Sequence, residues 1–241
     1  MHTALLALAT AAMLGFLHAL EVDHMIAVTS FVSTRPALRT AAVFGVRWGV
    51  GHSLSVFIAG GILLLTGLRW PARFDQAGEV VVGAMLIGLG AWAIRASRKL
   101  HLHAPAEHGD HLHLHAHRGS VATHQHSHHH HHSPPSEPEE GHGRHHSHGI
   151  TLVGMLHGLS GTSAVVALIP VTLMSSALLG LGYLVAFGVG VTAGMTVYAV
   201  VAAGAMRTAA ERSLVWGRRI SAGVGIAGIG VGLWWVVTAL N

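Results

Sequence analysis

The sequence contains no cysteine, which excludes a disulfide framework and electron transfer through a membrane cysteine pair. Charge is also scarce: 10% of the 241 residues are charged, against 51% hydrophobic. A soluble globular domain carries about 25% charged residues, so a water-facing surface would be hard to cover here. Aromatic residues amount to only 6%. The net charge of +4 would suit nucleic acid, but there is no aromatic-rich basic face to stack bases, which argues against such a partner. No basic stretch precedes the first apolar run, so the start reads as a retained helix and not as a signal peptide.

What the chain does have is long apolar segments separated by short charged clusters, the pattern of a membrane protein. A spanning helix needs roughly 20 mostly apolar residues. Six segments qualify, near 4–33, 40–68, 77–96, 150–174, 178–206 and 218–240. The fold class expected is therefore an all-α integral membrane protein with six transmembrane helices. Arg35, Arg39, Arg95, Arg98, Lys99, Arg207, Arg212, Arg218 and Arg219 flank one side of this arrangement, against Arg69 and Arg73 on the other. By the positive-inside rule both termini lie outside the cell membrane and the long middle loop is cytoplasmic.

That loop, residues 98–149, holds 18 of the 23 histidines, together with Pro134, Pro135 and Pro138. It offers almost nothing apolar to pack, so it reads as a disordered insert. Its clustered imidazoles, His111, His113, His115, His117 and the run His128, His129, His130, His131, His132, suit a loose metal buffer or sensor.

The segments on either side of the insert are related. Gly15-Phe16-Leu17-His18-Ala19-Leu20 matches Gly154-Met155-Leu156-His157-Gly158-Leu159, and Gly49-Val50-Gly51 matches Gly188-Val189-Gly190 at the same offset of 139 (188 − 49). Gly83, Ile87, Gly88, Gly90 and Trp92 match Gly225, Ile229, Gly230, Gly232 and Trp234. Residues 1–97 and 150–241 thus read as two three-helix repeats. An odd helix count inverts the second copy, and inverted-repeat transporters bind substrate near the midplane.

The chemistry gathers in His18-Ala19-Leu20-Glu21-Val22-Asp23-His24. A lone charge at a helix centre costs at least about 2.5–3.5 kcal/mol, so four ionisable groups there need a reason. Plain polar contacts between helices are one reading; a cation site is the other, with carboxylates to neutralise a dication and imidazoles to ligate it. At about 100° per residue, Asp23 lies roughly 140° and His24 roughly 240° from His18 on a straight helix. Either the helix unwinds, as in broken-helix transporters, or the groups serve different purposes. His52, after Gly49-Val50-Gly51, adds a second imidazole source near mid-bilayer. His157 either completes the site or belongs to a small-residue packing face. His2, Ser53, Ser160 and Thr162 are secondary candidates.

His18-Ala19-Leu20-Glu21-Val22-Asp23-His24 resembles the His-Ala-x-Asp-Ala-Asp-His signature of the nickel/cobalt transporter family, with Glu21 for one acid. Gly51-His52-Ser53 is similar to that family's Gly-His-Ser motif. The Gly154–Ala164 segment resembles the urease-accessory (UreH-like) and nickel/cobalt efflux (RcnA-like) branches, and the His-rich insert resembles the efflux branch. The resemblance implies permeation of nickel or cobalt as substrate with no permanently bound cofactor, and puts His18, Asp23, His24 and His52 in the metal-handling positions. Three departures stand out: Leu17 replaces the family's Arg, no acid stands near Thr162, and the six helices expected are fewer than the eight of the classical uptake members.

Three functions compete. The first is a divalent metal transporter acting through a His18, Glu21, Asp23, His24, His52 and His157 site, with a cytoplasmic metallochaperone as a candidate partner. Uptake and efflux are both compatible with it, and ligand preference alone does not select nickel. The second is an intramembrane enzyme, because His18 and Asp23 have the His-x4-Asp spacing of acyltransferases. The third is a sulfur-oxyanion exporter, which would want cations, not Glu21 and Asp23, at midplane. The expectation is a transporter and not an enzyme.

Overall fold

The computed structural model describes residues 2–33, 36–67, 72–98, 100–103, 113–116, 145–158, 170–171, 174 and 176–241. Seven helices are described: α1 (His2–His18), α2 (Val22–Val32), α3 (Leu38–Thr66), α4 (Ala72–Ser97), α5 (His145–Gly158), α6 (Ala177–Arg212) and α7 (Leu214–Leu240). After α4, strand β1 (Leu100–His103) pairs antiparallel with β2 (His113–Ala116), His101 opposite His115. These strands lie inside the insert expected to be irregular; its run His128–His132 and residues His111 and His117 lie outside the described residues.

Among the described residues, four helices are long and apolar enough to cross a membrane, and α1 with α2 makes a fifth span if the bent pair counts as one. The chain is a multi-pass membrane protein. The first expected span is not one helix: α1 and α2 meet at a 57° bend. The fourth, expected at 150–174, is described only in part. Helix α5 has 14 residues, about 21 Å at 1.5 Å per residue, short of a hydrocarbon core of about 30 Å. Residues 159–169 lie outside the described residues, so six spans are not seen.

Exposed Leu, Val and Ile on α3, α6 and α7, such as Leu65, Val201 and Ile226, are the outward faces that lipid would cover. The short helix α2 is the inner element. It contacts α4, α6 and α7, and its Phe31 stacks on Phe44 of α3 at 4.0 Å. Its hydroxyls are tied to the surrounding helices: Thr29 to Tyr198 at 2.7 Å and Ser33 to Ser221 at 3.0 Å. Helix α3 ends where Gly67, at φ 67°, caps it with a left-handed residue whose amide bonds the Leu63 carbonyl.

Helices approach through glycine, and the approaches come in pairs. A Cβ on Gly15 would strike the Phe187 carbonyl, and one on Gly154 the Trp48 carbonyl. Gly190 meets Ala12 as Gly51 meets Thr151; Gly188 meets Ser53 as Gly49 meets Thr192. The members of each pair differ by 139 residues (154 − 15, 190 − 51, 188 − 49). On α4 and α7 the same holds at an offset of 142 (225 − 83): Gly83 lies against Gly232 and Gly90 against Gly225. These registers make α3 antiparallel to α6 and α4 to α7, whereas α1 runs parallel to α6 and α5 parallel to α3. The start of α1 and the end of α7 therefore lie at one end of the bundle. Arg39, Arg95, Arg98, Arg207, Arg212 and Arg219 gather toward the other.

A methyl group at such a contact must push two backbones apart. Gly51→Ala and Gly190→Ala are expected to lose about 1–3 kcal/mol, read as a lowered melting midpoint in detergent. Gly61→Ala and Gly223→Ala, where the added carbon meets open space, should leave the midpoint near that of the parent. Equal effects at all four positions would refute the backbone-contact reading.

Candidate metal centre

The helix break creates the site. At the end of α1 the hydrogen bonding tightens from Ala19 N–H to the Gly15 carbonyl (3.1 Å) to the three-residue steps Leu20 to Leu17 and Glu21 to His18 (both 3.0 Å). Glu21 is extended (φ −67°, ψ 154°), and α2 starts anew after it. The unwound turn removes the angular spread that a straight helix would impose. His18, Asp23 and His24 are brought to one locality, and α3 and α5 deliver His52 and His157 to it.

All five of these groups are buried. The ring centroids of His18, His24 and His52 lie 4.7–5.2 Å apart, and His157 is 4.2 Å from His24. Two carboxylates hold the outer nitrogens. His18 Nδ1 sits 2.8 Å from Glu21 Oε1. Asp23 accepts from both sides, from His24 Nδ1 at 3.1 Å and from His157 Nε2 at 2.8 Å. An ionised carboxylate only accepts, so the facing ring nitrogens carry the protons and the opposite nitrogens carry lone pairs. Those opposite atoms, His18 Nε2 and His24 Nε2, are buried without a hydrogen-bond partner, as are both ring nitrogens of His52. A buried polar atom left unpaired costs about 1–3 kcal/mol.

The groups sort into two triads that share one residue: His18, His24 and His52, and Asp23, His24 and His157. In each, one ligand atom per residue lies within 4.8 Å of the others. Such a set suits a borderline divalent ion: imidazole nitrogens directed inward, with carboxylates behind them fixing tautomer and orientation. His157, whose role the sequence left open, is thus joined to the cluster through Asp23. Glu21 is half exposed and stands behind His18.

The secondary candidates fall elsewhere. His2 begins α1, exposed, about 24 Å along the helix from His18. Ser53 is engaged between helices, donating to the Gly188 carbonyl at 2.9 Å. Ser160 and Thr162 lie outside the described residues, and of His113 and His115 only the backbone strand is described. Sequence reasoning passed over two aromatic neighbours. Phe187 stacks on His18 and Trp48 lies against His157, both at 5.7 Å. A signal was available, since Trp48-Gly49-Val50-Gly51 and Phe187-Gly188-Val189-Gly190 repeat an aromatic before each glycine pair.

Fold and site together define a multi-pass helical membrane protein with an imidazole–carboxylate cluster buried among its helices. Comparison with known proteins narrows this. The chain is 29% identical to the urease accessory protein UreH of Bacillus sp. strain TB-90 over 185 residues, 76% of this chain and 69% of that protein. It is 36% identical over 103 residues to a provisionally named nickel/cobalt efflux system of Methanocaldococcus jannaschii, 41% of this chain and 45% of that protein. The match thus spans less than half of the second relative. No family model matches, and no solved structure does. The two relatives support a place for the chain in the nickel/cobalt transporter family.

Asp23 has two imidazole partners, and an amide satisfies only one of them as acceptor. Asp23→Asn is expected to lower the melting midpoint of the metal-free protein by the equivalent of about 1–3 kcal/mol. Glu21→Gln, at a half-exposed position, should barely move it. An unshifted midpoint for Asp23→Asn would show that the bridge contributes nothing to the fold.

Proposed function

We propose that this protein moves a divalent transition-metal ion, nickel or cobalt, across the cell membrane, binding it between the two halves of the chain. One observation carries the reading. The ring nitrogens of His18, His24 and His52 gather, buried and unpartnered, while Glu21 and Asp23 occupy the far nitrogens of two of the three rings. In that reading His18, His24 and His52 are the nitrogen ligands, Glu21 and Asp23 orient them and supply negative charge, and His157 steadies Asp23 or takes the ion over from it. The relatives' names, urease accessory protein and nickel/cobalt efflux system, favour nickel and cobalt over copper and zinc, which the ligands alone would also accept.

The reading includes six spans arranged as two inverted three-helix repeats, residues 1–97 and 150–241. Its support is the matched glycine contacts and the opposite directions of α1 and α5. An inverted repeat supplies two interchangeable arrangements around one midplane site. The basic residues at one end of the bundle favour that end as cytoplasmic, with the His-rich insert there as a metal buffer and both termini outside. A cytoplasmic metallochaperone would then meet the insert.

Two competing readings fit the geometry less well. An acyltransferase-like pair needs Asp23 to orient His18, but Asp23 is bonded to His24 and His157. An oxyanion carrier needs positive charge where the buried acid stands.

In proteoliposomes, His18→Ala, His24→Ala and His52→Ala are each expected to abolish radioactive nickel flux. Glu21→Gln should weaken nickel affinity about 10–100-fold, as expected for a group behind a ligand. Flux is the readout because the insert's histidines would mask the centre in a binding titration. Wild-type flux in the three alanine variants would overturn the proposal. Direction is read separately: cells expressing the protein become nickel-sensitive if it imports and nickel-tolerant if it exports.

A further inference from the structure

The aromatic rings beside the histidines have a placement that metal ligation does not account for. Helices α3 and α6 run antiparallel, in a register fixed by Ser53 on the Gly188 carbonyl and Gly49 against Thr192. In that register Phe187 is level with Leu54, and Trp48 with Ala193. Positions 48 and 54 of α3 are separated by about 9 Å along the axis, and His52 lies between them. The Phe187 ring covers His18 and the Trp48 ring lies against His157, each at 5.7 Å. The two aromatic residues thus spring from levels on either side of His52 along the bundle. Both rings are 2% exposed. The Trp48 indole N–H is buried with no partner, although an indole donor in an interior normally finds one. It is held there by packing and not by a bond.

The two rings are also equivalent. They differ by 139 residues (187 − 48), the offset that relates His18 to His157 and the paired glycine contacts. Each histidine is covered by an aromatic from a helix of the other half. We infer that Phe187 and Trp48 determine access to the centre, each closing it toward one end of the bundle, so that withdrawal of one ring admits an ion from one side only. The identity of the ion rests on the preceding section; the closures themselves do not.

The absence of native cysteine makes single reporters clean. Ser55, buried one turn past His52 with its hydroxyl on the His52 carbonyl at 2.8 Å, reports the Phe187 side. Ser30, buried and next to Phe31, which stacks on Phe44 one turn before Trp48, reports the other. Ser55→Cys and Ser30→Cys are labelled in sealed, oriented vesicles with a charged, impermeant methanethiosulfonate. Phe187→Ala is expected to speed labelling at position 55 about tenfold, as when a minor open state becomes populated, and to leave position 30 unchanged. Trp48→Ala should do the reverse, from the opposite membrane face. Phe187→Leu and Trp48→Phe, which keep apolar bulk, should label as slowly as the parent.

Acceleration at both reporters by either alanine variant, labelling from one face only, or no acceleration would overturn the closures, as would rapid labelling of the bulk-retaining variants. The expected labelling without nickel flux in the unmodified protein would leave the closures standing and remove the metal reading. Nickel flux with failed labelling would do the opposite.

Discussion

The bridge formed by Asp23 holds the centre together. One carboxylate accepts from His24, its neighbour on α2, and from His157 on α5, joining segments 134 residues apart. Both imidazoles are orphaned on that side without it, and the acid would be a lone charge in an apolar surround. Breaking a buried pair of this kind costs about 3–5 kcal/mol, far more than forming it gains. The geometry of the remaining histidines follows from it. With its Nδ1 given to Asp23, His24 keeps a buried Nε2 that no hydrogen bond occupies, and Glu21 on Nδ1 leaves His18 Nε2 in the same state.

The break between α1 and α2 makes the bridge reachable, and the close packing of the other helices makes the break tolerable. An interrupted helix frees backbone groups that lipid would not satisfy. Here the turn closes on itself through the Leu20 and Glu21 amides, and α2 is surrounded by α3, α4, α6 and α7. Glycine contacts bring these helices near enough for imidazoles from α1, α2, α3 and α5 to meet.

Much of this could be read from residues alone. Clustered acids and imidazoles in an apolar segment marked the candidate site, and the angular mismatch between His18 and His24 pointed to unwinding of the helix between them. The repeated Gly-Val-Gly and the two histidine segments pointed to paired halves, and their glycines make helix contacts at equivalent positions. What stayed illegible depended on partners distant in sequence. Spacing cannot say that Asp23 would choose His24 and His157 over His18, because that choice is set by where α5 comes to rest. Ser53 looked like a ligand beside His52, but successive helical residues point about 100° apart, and its hydroxyl turns to α6. Hydropathy likewise reads composition and not chain path, so it gave a single first span near 4–33 where the chain bends by 57° between α1 and α2.

The seam between α4 and α7 has a further bearing on the centre. There main chain rests on main chain, Gly83 on Gly232 and Gly90 on Gly225, and both helices touch α2, Ile26 reaching Gly228 of α7. The half-helix that carries Asp23 and His24 is therefore braced by two walls whose spacing depends on the lack of a side chain at four points. Widening that spacing by one carbon atom would tilt the brace and spoil the aim of both ligand-bearing residues from a distance.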